Sequence, residues 1–189
     1  PAAVTAAPTA VPTAVPTPDP TAAPIPSEEP TTLQGWAESV AQEIYGQYDS
    51  PYTNLISVSC EQVDGDPAPM ITINVKYPDT FMRTNDERMS NFLYNVMRTV
   101  WKINDLASAG KIEYGSVFIH GRAMFADAYG NESEADAAQI RIKASEAAKV
   151  NWSFDSVTGD MMPGIAVSFG MQPVIREGLT YTYYNTIRK

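Results

Sequence analysis

One cysteine, Cys60, and one histidine, His120, are the only thiol and the only imidazole in the chain. They are the residue types of a nucleophile and its activating base. Their neighbours argue against that pairing. Cys60 follows Ile56 and Val58 at alternate positions, the apolar side of a strand, whereas His120 lies out of phase with Val117 and Ile119. Alternate side chains of a strand point to opposite sides of the sheet. Cys60 therefore reads as a small buried hydrophobe and His120 as an imidazole on the wet face. Zinc draws mainly on His and Cys, with carboxylates as supplements, and one of each does not furnish a site.

Oxygen chemistry has more candidates. Calcium needs six to eight oxygen ligands. The best supplied stretch is Asp127, Asn131, Glu132, Glu134 and Asp136, with Asp64 and Asp66 as a poorer second. Neither has the EF-hand spacing, and the simpler reading is a solvated hairpin turn whose charges discourage edge pairing. Glycoside hydrolysis requires two facing carboxyl groups. After residue 32 the chain keeps 19 acidic residues (22 less Asp19, Glu28 and Glu29), none inside an apolar stretch that would raise its pKa. Ser153, Ser156 and Ser168 have no nucleophile-elbow context. No catalytic residue, metal or cofactor is assigned on these grounds.

A binding surface is better supplied. Phe118, His120, Arg122 and Met124 alternate along one side of a strand and are expected beside Thr72, Asn74 and Lys76. Mixed aromatic, Met and Arg composition is that of a recognition face. Tyr181, Tyr183 and Tyr184 cluster near the end of the sequence, and strand tyrosines can stack on sugars or peptides. Phe118, His120, Arg122, Tyr181 and Tyr183 are accordingly the candidate ligand-binding residues. The competing account is that the C-terminal segment, with Phe169, Tyr181 and Tyr183, folds across this face and covers it. Two sequons, Asn131-Glu-Ser133 and Asn151-Trp-Ser153, bear on the surface only where the source glycosylates.

The elements that must position these residues follow from apolar periodicity. Leu33, Trp36, Ala37, Val40, Ile44 and Tyr48 form one helical stripe over 33–48, stopped by Ser50-Pro51. Strands are expected at 55–62, with Ile56, Val58 and Cys60 inward, and at 70–77, with Ile71, Ile73, Val75 and Tyr77 inward. Residues 63–69 are rich in turn formers, so the two strands form an antiparallel hairpin. A second helix starts at the capping box Thr84…Glu87. It carries Met89, Phe92, Leu93, Val96, Val100, Ile103 and Leu106 on its apolar side and ends at Gly110. A long strand over 114–127, a turn at Tyr129-Gly130-Asn131, the acidic stretch 132–136 and a strand over 138–144 follow. Ala138, Ile140, Ile142 and Ala144 are inward in that last strand. A short helix over 145–150, capped by Ser145, comes next, and residues 164–171 and 179–187 have weaker strand patterns. The order α-β-β-α-β-β predicts an α+β two-layer sandwich: a mostly antiparallel sheet of four or more strands, with two amphipathic helices on one face. Nothing in it points to a dinucleotide fold.

Composition changes sharply at residue 32. Residues 1–32 hold nine of the 15 prolines, with eight alanines and seven threonines, and no aromatic residue, Lys or Arg. Such a stretch offers nothing to offset its ordering entropy, so residues 1–32 are expected to be a disordered, extended tether and residues 33–189 one domain. Whether 153–189 completes its core is left open. The net charge of −9 and scattered basic residues argue against nucleic acid as a partner. No apolar run is long enough to span a membrane, and the single cysteine permits no internal disulfide.

The segments Asp127-Ala-Tyr-Gly-Asn-Glu, Ile140-Arg-Ile-Lys and Ser145-Glu-Ala-Ala-Lys-Val-Asn-Trp152 resemble C-terminal domains of Gram-positive surface lipoproteins of unknown function, over about a quarter of the domain. The resemblance implies an envelope location and a similar fold, not an activity. Together with the tether, which commonly bridges an anchor and an external module, it sets the expectation. The chain is read as an extracytoplasmic, surface-tethered, non-catalytic module that binds a protein, peptide or glycan, meeting the membrane only through an upstream anchor. An envelope-polymer hydrolase with unidentified carboxylates, or a structural spacer domain, are the alternatives.

Overall fold

The structure is a computed structural model, and it describes residues 29–46, 55–78, 84–153, 157–177 and 179. The expected tether up to Glu28, Tyr48, and the expected strand over 179–187 with Tyr181 and Tyr183 lie outside the described residues, except for Glu29–Thr32 and Leu179.

Helix α1 (Leu33–Ala41) is capped by Thr32, whose hydroxyl accepts from Gly35 N, and continues as a π turn over Gln42–Gly46. Ala37, Val40, Ala41, Ile44 and Tyr45 are its buried side. Strands β1 (Leu55–Glu61) and β2 (Met70–Lys76) form the expected antiparallel hairpin. Helix α2 (Asn85–Ser108) begins with both bonds of the capping box, Glu87 N to Thr84 Oγ1 at 3.2 Å and Thr84 N to Glu87 Oε2 at 3.1 Å. It ends in a Schellman pattern: Gly110 takes φ 72°, Gly110 N donates to Ala107 O and Lys111 N to Leu106 O, a geometry that glycine adopts without a Cβ penalty.

Strand β3 (Ser116–Ala126) pairs parallel with β2, the connection being made by α2. Strand β4 (Glu132–Lys143) pairs antiparallel with β3, and β5 (Ser168–Met171) antiparallel with β4. The sheet order is therefore β1-β2-β3-β4-β5. It is mixed, with three antiparallel neighbours and one parallel. Short helices α3 (Ala144–Ala147), α4 (Met162–Ile165) and α5 (Pro173–Glu177) complete the described chain.

One apolar cluster joins the inward faces of the strands (Ile71, Ile73, Val75, Val117, Ile119, Ile140, Ile142) to α1 and α2, and through Ala147, Met162 and Ile175 to α3, α4 and α5. The five α-helices among the described residues thus serve the same side of the sheet, and residues 157–177 contribute to the core. The architecture is the expected α+β two-layer sandwich.

Several local expectations are corrected. Ile56 is not inward. The register slips between Leu55 and Ser57, so Leu55 takes the place opposite Val75 and Ile56 stands 51 % exposed. The acidic residues 132–136 belong to β4 instead of preceding it. Ala144 opens α3, which has no Ser145 side-chain cap: its N-cap is Lys143. In the expected strand over 164–171, Ile165 ends α4, Val167 is 47 % exposed, and only Ser168–Met171 is strand.

Candidate functional site

The side of the sheet away from the helices is where sequence reasoning placed recognition. Cross-strand register builds it as a grid. Ser59, Thr72, Phe118, Arg141 and Ser168 form one row; Ser57, Asn74, His120, Gln139 and Gly170 form the next; Lys76, Arg122 and Asp136 form a third. Phe118, His120 and Arg122 do come together here, with Met124 (59 % exposed) beyond them.

A bulge positions their partner. Ile140 and Ala138 point inward, and strict alternation would send Asp136 inward too. Between Gly121 and Arg122 of β3 the register skips Ala137 of β4, so the phase inverts and Asp136 faces Arg122 on the outer side. Arg122 Nη1 donates to Asp136 Oδ1 at 2.8 Å and Nη2 to Glu134 Oε2 at 3.3 Å. Asp136 Oδ2 lies 3.2 Å from His120 Nδ1, and the His120 ring meets Phe118 at a tilt of 50° with centroids 3.9 Å apart. One carboxylate thereby fixes both a cation and an aromatic pair. Partial burial would raise the Asp136 carboxyl, but hydrogen bonds from Arg122 and His120 and their charges outweigh it and hold it below the usual carboxylate range. The same Asp136 bond raises the Arg122 guanidinium.

One end of this face is roofed. The β1–β2 loop brings Asp66 over Ser116 and Arg141: Asp66 Oδ2 accepts from Ser116 Oγ at 2.6 Å and from Arg141 Nη2 at 2.7 Å, while Arg141 Nε donates to Ser116 Oγ at 3.1 Å. Ser116 is fully buried and the Asp66 carboxylate nearly so. Burial would raise the Asp66 carboxyl, yet the two hydrogen bonds and the charges of Arg141 and Lys143 hold it below its ordinary value. Asp66 Oδ2 is directed at Ser116 and Arg141, which fits a tie between loop and sheet rather than a cation ligand. Phe169, expected to cover the outer face, instead pairs with Ile140 and packs against the core from the helix side.

The weak calcium candidates are not gathered. Asp127 Oδ1 accepts from Tyr129 N and Asn131 N, and its Oδ2 from Asn131 Nδ2, closing the β3–β4 turn on itself. Asp136 is engaged with Arg122 and His120, and Glu132 pairs in register with Ala126. Among the described residues no group of three or more His, Cys, Asp or Glu side chains could hold a metal ion. Cys60, opposite Ile71, lies on the inward side and His120 on the outer, so the sheet separates them. Burial, with the charge of Glu38, pushes the Cys60 thiol up to about 11.

A second site went unread in the sequence. A pocket of about 130 Å³ is lined by Tyr94, Met97, Arg98 and Trp101 of α2 with Trp152, Ser153 and Val157. Spacings of three and four place the first four on one stripe of α2, beside the core stripe. The Arg98 guanidinium sits 5.9 Å above the Tyr94 ring, and Trp152 is pinned by its indole N–H donating to Ala147 O at 2.9 Å. The far wall is brought close by Gly159, where a Cβ would meet Tyr94 N at 2.6 Å.

Neither family models, curated proteins nor solved structures give a match to this chain.

Proposed function

We propose that this chain is a non-catalytic binding module whose recognition surface is the outer face of the sheet, displayed outside the cytoplasm on its Pro/Ala/Thr-rich tether. The observation that carries the reading is the clamp on that face: Asp136 bonds Arg122 at 2.8 Å and His120 at 3.2 Å, with the His120 ring tilted against Phe118. A cation and an aromatic pair, both held in place before a ligand arrives, lower the ordering cost of binding. The outer face carries no helix among the described residues, since all five helices pack into the cluster on the other side. An acidic domain with a localised Arg122–His120–Phe118 surface suits a peptide or glycan better than a polyanion.

The test is thermal melting of the full chain against soluble peptidoglycan fragments, defined oligosaccharides and oligopeptides. A probe present at about a hundred times its dissociation constant stabilises the fold by about 2.7 kcal/mol, a midpoint rise of about 5–10 °C for a domain of this size. The expected result is a rise that Arg122→Ala and Phe118→Ala each abolish. A rise that survives both substitutions places recognition elsewhere and refutes the proposal.

A further inference from the structure

The pocket on α2 has the composition of a surface that receives proline. Tyr94, Trp101 and Trp152 offer flat rings around a shallow space, and Trp152 is fixed by its bond to Ala147 O. Proline-rich chains dock on aromatic-lined grooves because their backbone is already restricted, so little entropy is lost on binding. Arg98 contributes the cation of the site. Its guanidinium lies over Tyr94, and no carboxylate among the described residues forms an ion pair with it.

The same chain supplies such a segment. Residues 7–24 hold Pro8, Pro12, Pro16, Pro18, Pro20 and Pro24, and their one charged residue is Asp19, opposite in sign to Arg98. Its point of attachment is known. Glu29 is ion-paired with Lys111, and the Lys111 ammonium lies 4.8 Å over the Trp36 ring, which fixes the start of the described chain at the C-terminal end of α2. Trp101 lies seven residues before Ser108, the last residue of α2, or about 10 Å along the axis. At about 3.1 Å per residue, the ten residues from Glu29 back to Asp19 reach about 30 Å, enough to pass over α2 to Arg98. A tethered ligand at this range also has a high effective concentration, so modest intrinsic affinity suffices.

We infer that the Tyr94–Trp101–Trp152 pocket is a docking site for the chain's own proline-rich segment, residues 7–24, with Arg98 facing Asp19. Docking would hold residues 7–24 against the domain, independently of what the outer sheet face binds.

The experiment uses the full chain labelled with ¹³C-methyl methionine, in which Met97 reports the pocket, Met124 the outer sheet face and Met89 the core. Serine at Pro8, Pro12, Pro16, Pro18, Pro20 and Pro24 is expected to move the Met97 methyl resonance and leave Met124 and Met89 in place. A synthetic peptide of residues 7–24, added to that variant, returns Met97 to its original position. Trp101→Ala or Arg98→Ala weakens the peptide's apparent affinity at least tenfold. A Met97 signal indifferent to both proline replacement and peptide overturns the inference. So does one moved by a linear hexasaccharide and not by the peptide, which gives the pocket to glycans.

Discussion

Replacing Asp66 with Asn changes one charge in a set of three side chains that ties the β1–β2 loop to β3 and β4. Asp66 Oδ2 accepts from Ser116 and Arg141 at 2.6 and 2.7 Å, and its carboxylate is 1 % exposed against 23 % for the Arg141 side chain. A hydrogen bond to an ionised group contributes about 1.5–3 kcal/mol and a neutral one about 0.5–1.5, so each of the two bonds loses about 1 kcal/mol. The partly exposed Arg141 regains some hydration, which keeps the loss well below the 3–5 kcal/mol typical of breaking a fully buried pair. The expected cost is about 2 kcal/mol at pH 7, a midpoint fall of about 4–8 °C. The folded-state pKa of Asp66 lies below its ordinary value of 3.8, so its stabilisation is complete above that value and is lost as pH falls through the lower, folded one. Urea denaturation of wild type and Asp66→Asn from pH 7 to pH 2.5 should show a gap that narrows only at the acid end. A gap below about 0.5 kcal/mol at pH 7, or one that stays constant down to pH 2.5, refutes the reasoning.

Other elements give sharper single numbers. Cys60, with its thiol pushed up to about 11, should react with iodoacetamide at pH 8 at least about 100-fold more slowly in the folded chain than in urea, because the thiolate is the nucleophile; rates within tenfold of each other contradict its burial. Phe92→Ala removes a fully buried ring whose centroid lies 5.7 Å from that of Tyr77 and should cost about 3–5 kcal/mol by chemical denaturation. Thr84→Ala breaks the capping box of α2 and should cost about 1 kcal/mol, while Thr84→Ser should cost little; equal losses would mean that the hydroxyl bond to Glu87 N is not the cause.

The two long helices, the inward faces of β2 and β3, and residues 138–143 of β4 are legible because each keeps one period throughout. Met89, Phe92, Leu93, Val96, Val100 and Ile103 announce α2, and each is buried. Misreadings cluster where the period breaks. Ile56 and Ala137 sit at register shifts that invert the alternation, so alternation alone puts Ile56 in the core and leaves Asp136 outside the strand. A bulge has no composition of its own and is set by the pairing strand. The clamp around Arg122 was invisible for that reason, although Phe118, His120 and Arg122 were placed on the correct face. The roof of Asp66 over Ser116 is a contact across 50 residues, which periodicity cannot supply. The aromatic pocket did have a signal, since Tyr94, Met97, Arg98 and Trp101 form a second stripe of α2, but the stronger core stripe beside it absorbed the pattern. The pairing of β2 with β3 is parallel because α2 carries the chain back across the sheet, and alternation alone does not distinguish the two directions.

The most direct test of the outer sheet face as the recognition surface is a methionine-methyl NMR map of the full chain, with whichever probe raises its melting midpoint. Met70 and Met124 lie on the outer face, Met97 in the α2 pocket, and Met89 and Met162 in the core. Shifts at Met124 and Met70, with Met97, Met89 and Met162 unmoved, are the predicted result. Shifts confined to Met97, with Met70 and Met124 unmoved, would contradict it.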